Sequence, residues 1–172
     1  DIIEGSSPKL RSYTVTRSGA GQRIEQAHGM VYYNLAAAFQ NRIAEPLYVV
    51  SAYNEEAQRR DIELTTHEGQ ECDIVVRGQL KVQVGGHTEV LHAGDSIYYD
   101  SGTPHGMIAV GGEDCIFYAI VLNPTGEPIP ELSGTRTDAV RRTPAPSADE
   151  ADRIYKRFTE VKLNADGTPT SI

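Results

Sequence analysis

The chain has 172 residues, 39% of them apolar and 23% charged, and carries a net charge of −8. That is about one domain's worth of chain, too apolar for wholesale disorder. With no basic block it is a poor binder of nucleic acid on its own and of anionic membrane surfaces.

No run approaches the roughly 20 apolar residues of a membrane span, and no secretory signal is visible, so a cytoplasmic setting is expected. The chain opens on Asp1 rather than Met, and we expect it to be one part of a longer protein. Cys72 and Cys115 do not form a Cys-x-x-Cys pair and read as two reduced, buried thiols.

Residues 1–9, with Gly5-Ser6-Ser7-Pro8, read as a leader or linker. From Leu10 to Ile24, two alternating runs flank Ser18-Gly19-Ala20-Gly21 and suggest a hairpin. Val31-Tyr32-Tyr33 reads as a strand, and Leu35 to Phe39 as one helical turn. Leu47 to Tyr53 is a strong strand by its β-branched and aromatic content. Asn54 to Asp61 is an exposed loop with a helical turn at Glu55–Arg60, and Ile62 to Thr65 alternates.

Strands follow at Cys72–Val76, Leu80–Val84, His87–Leu91, Ser96–Tyr99 and Cys115–Leu122. Gly85-Gly86 joins two of them as a two-residue hairpin, and Gly94-Asp95 is another turn. Short strands with frequent turns, uninterrupted by a full-length helix, predict an antiparallel sandwich or barrel over residues 10–123. Residues 124–146 are Pro-rich linker. Ser147 and Glu150 form a capping box that opens a short helix over 148–158, with Ile154, Tyr155 and Phe158 as its apolar stripe. Asn164 to Gly167 has turn chemistry, so residues 147–172 make a helix and tail.

The chemistry concentrates between His67 and His105. Gly69 makes a helix unfavourable at His67-Glu68-Gly69-Gln70-Glu71. A turn into a strand would let an imidazole and a carboxylate converge. His105 ends a second turn, fixed by Gly102 and Pro104. Two His and one carboxylate with open positions form the facial arrangement of non-haem Fe(II) sites, and the set also suits Mn, Ni or Zn. Strand alternation puts Asp73 on the face of Glu71. A buried carboxylate needs a partner: a salt-bridging Arg, water at a wet barrel mouth, or a cationic or hydroxylated ligand. Met107 shares the face of His105. One of Tyr98 and Tyr99 faces inward, and Tyr48 is a further candidate to line the interior. Asp73, Tyr98, Met107 and Tyr48 are the expected ligand contacts. His28, His87 and His92 carry no motif.

Together, Gly69 to Gly78, the Gly85-Gly86 hairpin, Gly94-Asp95 and Gly102-Thr103-Pro104-His105 resemble the two signature motifs of the cupin superfamily. The resemblance implies an all-β double-stranded β-helix, a jelly-roll barrel, here with a short C-terminal helix. It also implies metal ligands at His67, Glu71 and His105. Thr65 stands where the first His of the motif usually lies, which reduces four ligands to three and leaves a divalent metal as an optional cofactor.

Tyr13 to Arg17, Tyr33-Asn34-Leu35, Asn41-Arg42-Ile43 and Glu45-Pro46-Leu47 look like the lead-in strands of the sensory cupins of XRE-type helix-turn-helix regulators. That implies a homodimeric, small-molecule-sensing domain whose DNA-binding part is absent from this chain. The alternative is a mononuclear metal enzyme, an oxygenase, epoxidase or isomerase. The fosfomycin-forming epoxidase shares the His-x-x-x-Glu and later His.

Overall fold

The computed structural model describes residues 12–27, 29–122 and 148–159. The leader, His28, the Pro-rich linker with Ser147, and the turn at Asn164–Gly167 lie outside them.

Nine strands follow in chain order: β1 (Gln22–Ala27), β2 (Met30–Asn34), β3 (Ala44–Ser51), β4 (Gln70–Arg77), β5 (Gln79–Val84), β6 (His87–His92), β7 (Ser96–Asp100), β8 (His105–Val110) and β9 (Cys115–Leu122). One helix, α1, spans Ala148–Thr159. A six-stranded sheet runs β1-β2-β3-β9-β4-β7, a three-stranded sheet runs β6-β5-β8, and every pairing is antiparallel. This is the jelly-roll architecture expected from the sequence.

The side-chain period of two divides each strand between faces. Leu47, Val49, Val75, Leu80, Val82, Phe117, Ala119 and Val121 turn inward and pack between the sheets with Met107 and Tyr99. Burial of a Leu or Phe of this kind contributes roughly 1.5–3 kcal/mol. The alternate residues Val31, Tyr33, Tyr48, Val50 and Ile116 form a second core on the other face of the larger sheet, where Ala151, Ile154 and Tyr155 of α1 cover them. Tyr155 stacks on Tyr33 at 4.1 Å, the Tyr33 hydroxyl donates to Asp152 at 2.8 Å, and the Gly21 amide donates to the Tyr155 hydroxyl at 3.0 Å. The expected apolar stripe is thus met by Ile154 and Tyr155, with Ala151 one turn earlier. The side chain of Phe158 lies outside the described residues.

Three local expectations differ. Ser18–Gly21 is not the turn of a hairpin: residues 12–21 hold no strand, and β1 pairs instead with β2. Gly21 is needed for close approach, because a Cβ there would lie 2.8 Å from the Tyr155 hydroxyl. Leu35–Phe39 makes a turn rather than a helical segment, and the Arg42 guanidinium caps its carbonyls at Ala36, Ala37 and Phe39 while pairing with Glu45. Ile62–Thr65 forms no strand, only a single bridge between Thr65 and His105. The charged loop does turn helically, as a 3-10 turn at Ala57–Arg59.

Candidate metal centre

Gly69 adopts φ +89°, which lets the chain reverse from His67 into β4. The reversal is stitched to the end of β7: the His67 amide donates to the Ser101 carbonyl, and the Ser101 amide to the Gly69 carbonyl, both at 3.0 Å. Glu71 then falls on the inner face of β4, opposite Tyr99. His105 opens β8 on the inner face of the smaller sheet. Thr65 is held to it by two backbone hydrogen bonds of 2.8 and 2.9 Å. Thr65 therefore positions His105 through its backbone.

These placements bring His67, Glu71 and His105 together, with one ligand atom from each within 4.8 Å of the others. His67 Nε2 lies 3.0 Å and His105 Nε2 4.0 Å from the same oxygen of Glu71, and all three side chains are at most 9% exposed. Each imidazole turns Nδ1 to a carbonyl, His67 to Glu68 at 3.0 Å and His105 to Thr103 at 2.8 Å. A carbonyl only accepts, so each Nδ1 carries a proton, and each Nε2 is directed at the carboxylate, where it can share a proton with Glu71 or, unprotonated, offer a lone pair to an ion.

Two lone pairs cannot face each other at 3.0 Å without a positive centre between them. A shared proton satisfies that need, and so does a metal ion. Two adjacent ligands bound at about 2.1 Å lie about 3 Å apart. The donor set, two imidazoles oriented from behind by carbonyls plus one carboxylate, fits a divalent transition metal.

Burial works against ionisation of Glu71, but the hydrogen bond with His67, the adjacent Asp73 carboxyl and the two imidazoles outweigh it and hold its carboxyl below the usual range. Asp73 behaves oppositely. Burial, and then the negative charge of Glu71, raise it well above an ordinary carboxyl.

The remaining expected contacts divide. Asp73 is fully buried on the face of Glu71, as alternation requires, but among the described residues no Arg pairs with it. The Tyr99 hydroxyl donates to its Oδ2 at 3.2 Å, and the Asp73 carboxyl also hydrogen-bonds with that of Glu71. Met107 is buried inside, two residues beyond His105. Tyr98 is not inside. It is 57% exposed on the outer face and its hydroxyl donates to Gln70. The inward tyrosine is Tyr99, whose ring lies 4.8 Å from that of His105. Tyr48 is buried, but beneath α1 and away from the barrel interior. Sequence reasoning missed Ser101, whose side chain is fully buried with an unpartnered hydroxyl; it shares the parity of Tyr99. Both cysteines are free, and burial pushes the Cys115 thiol up to about 12.

Residues 55–121 match the family model of the cupin domain, Cupin_2. No curated protein is significantly similar to the chain. Among solved structures, Fe(II) HppE is similar at 16% identity, with a TM-score of 0.56 over 67% of this chain and 65% of that one. Hydroxypropylphosphonic acid epoxidase from S. wedmorenis is similar at 17% identity and TM-score 0.56, over 67% and 64%. The chain thus spans slightly under two thirds of those proteins, and the likeness is one of fold. An HTH_3 family transcriptional regulator from Vibrio cholerae is similar at 22% identity over 56% of this chain and 52% of that one, with a TM-score of 0.46, too low to bear on function.

Proposed function

We propose that this chain, whose residues 55–121 match the cupin domain model, binds a small organic molecule at a mononuclear metal centre held by His67, Glu71 and His105. One observation carries the reading: two buried imidazoles, each locked at Nδ1 by a carbonyl, direct Nε2 at one buried carboxylate. A divalent ion there would supply a Lewis acid with coordination positions open to a ligand. The protein's own part is to fix both tautomers through Glu68 and Thr103 and to keep Glu71 ionised. The apolar interior around Met107 and Val82 limits water. The donor set suits Fe, Mn, Ni or Zn.

The test is metal content after purification and after reloading. Wild-type protein should take up one equivalent of Fe(II) or Co(II), and His105→Ala should lose at least about tenfold in affinity. Equal uptake by both would reject the site.

A second reading uses the same pocket as the effector site of a transcriptional regulator. It is favoured by the lead-in segments around Tyr13, Tyr33, Arg42 and Glu45, which resemble those of regulator cupins. A homodimer in the cytoplasm belongs to that reading. Ligand-dependent turnover by the metal-loaded chain would favour the enzyme, whereas binding without turnover would favour the sensor.

A further inference from the structure

Of the eight large hydrophobic side chains exposed among the described residues, Ile74, Val76, Tyr98 and Tyr118 lie on three neighbouring strands of the larger sheet, β9, β4 and β7. Alternation turns Glu71, Asp73 and Val75 of β4 inward, so Cys72 and Ile74 point out. The register then builds two rows across the outer face, Tyr98–Cys72–Ile120 and Ser96–Ile74–Tyr118. Neither row holds a charged side chain. On the adjoining part of that face α1 covers Tyr48 and Ile116. Tyr118, whose ring meets that of Tyr48 edge-on at 5.7 Å, is still 38% exposed. The Tyr98 hydroxyl already donates to Gln70 of the next strand at 2.6 Å, so what Tyr98 presents outward is its ring. Contiguous exposed apolar surface marks an interaction site, and tyrosine is enriched in such surfaces.

We propose that this face receives a second copy of the chain, with β4 packed on β4 about a two-fold axis along the strand. Two features select a copy over another partner. The chain carries a net charge of −8, so two copies repel unless they meet where charge is missing, and these rows supply such a place. A nucleic acid, a basic protein or an anionic lipid surface would find no charge in them to engage. The rows are also complementary to themselves. β7 and β9 flank β4, so a two-fold axis along β4 lays β7 of one copy over β9 of the other. Tyr98 then meets Ile120, and the Tyr118 ring meets Ser96, a small side chain that leaves room for it. Cys72 and Ile74 meet their own counterparts across the axis. The pairing lies outside the barrel and rests on neither reading of the triad.

Sedimentation velocity on the full chain, from about 1 to about 100 µM, should show a reversible dimer. Facing sheets pack about 10 Å apart, so a short bismaleimide should link the Cys72 thiols of the two copies. Cys115 is fully buried and does not compete. Tyr98→Arg and Ile74→Lys each bury a charge in the contact and should weaken pairing at least about tenfold. Val90→Lys, at an exposed position of the other sheet, should leave it unchanged. Thermal melts confirm that each variant is folded, and Tyr98→Arg, at the more exposed position, guards against loss of fold in Ile74→Lys. A chain that stays monomeric over the whole range overturns the proposal, and slow maleimide labelling of Cys72 in that monomer would mean that another part of the chain covers the face. A dimer that both variants leave intact, or that does not cross-link through Cys72, would also overturn it. Co(II) uptake, measured separately, reports the triad.

Discussion

Asp73 illustrates the tension at single-residue scale. Its folded carboxyl holds a proton more tightly than the unfolded one does, because burial and Glu71 penalise its charge. The stability tied to that proton is therefore full below the unfolded pKa of about 3.9 and is lost as pH rises through the raised folded value. Asp73→Asn removes the ionisation. The variant should be more stable at pH 7 by about 1–3 kcal/mol, with the gap closing towards pH 4. Urea unfolding at both pH values checks this, and a variant less stable at pH 7 would contradict it. The sequence already put Asp73 on the face of Glu71, because alternation is local. It did not tell Tyr98 from Tyr99, because that choice depends on which tyrosine stands opposite Glu71, a cross-strand register. Ser101 was hidden for the same reason.

Among the elements, two glycines make opposite predictions. A Cβ on Gly106 would run into the carbonyl oxygen of Glu63, with Ile62 Cγ2 at 2.8 Å, so segment 62–65 lies directly on β8. Gly106→Ala should displace the Thr65 bridge, cost about 1–3 kcal/mol or more, and weaken Co(II) binding at least about tenfold through His105 and His67. Gly21→Ala crowds the Tyr155 hydroxyl and Tyr33 Cβ, the latter at 3.0 Å, beneath α1. It should cost a similar amount of stability yet leave Co(II) affinity unchanged, since α1 covers the opposite face of the sheet from the triad. Co(II) titration beside thermal melts separates the two. The turns at Gly69 and Gly85 were legible because each adopts a positive φ that the sequence context anticipates. Gly106 was not, because its need arises from a distant backbone. Tyr48 was misplaced for a related reason. The run from Leu47 to Val50 is buried on both faces, one against the barrel core and one against α1, so it does not alternate.

For the molecule as a whole, the order of short strands and turns between Gln70 and Leu122 gave away the architecture, since frequent turns leave no room for crossover helices. The placement of α1 over β2 and β3 was not readable, because it depends on a Tyr33–Tyr155 stack between residues far apart in sequence. The division of the triad between the sheets has a mechanical meaning. Glu71 belongs to the six-stranded sheet and His105 to the three-stranded one, and among the hydrogen-bonded strands no pairing joins the two. An ion gripped by both would rivet the leaves at one end of the barrel. On loading with Co(II), amide exchange should slow in β4 and β8 together, while amides of α1 keep their rates. Hydrogen-exchange mass spectrometry can read both regions in one experiment. Uniform slowing across the chain would mean the ion merely stabilises the fold. Slowing confined to the two leaves would show a barrel whose mouth is loose when empty and clamped when loaded.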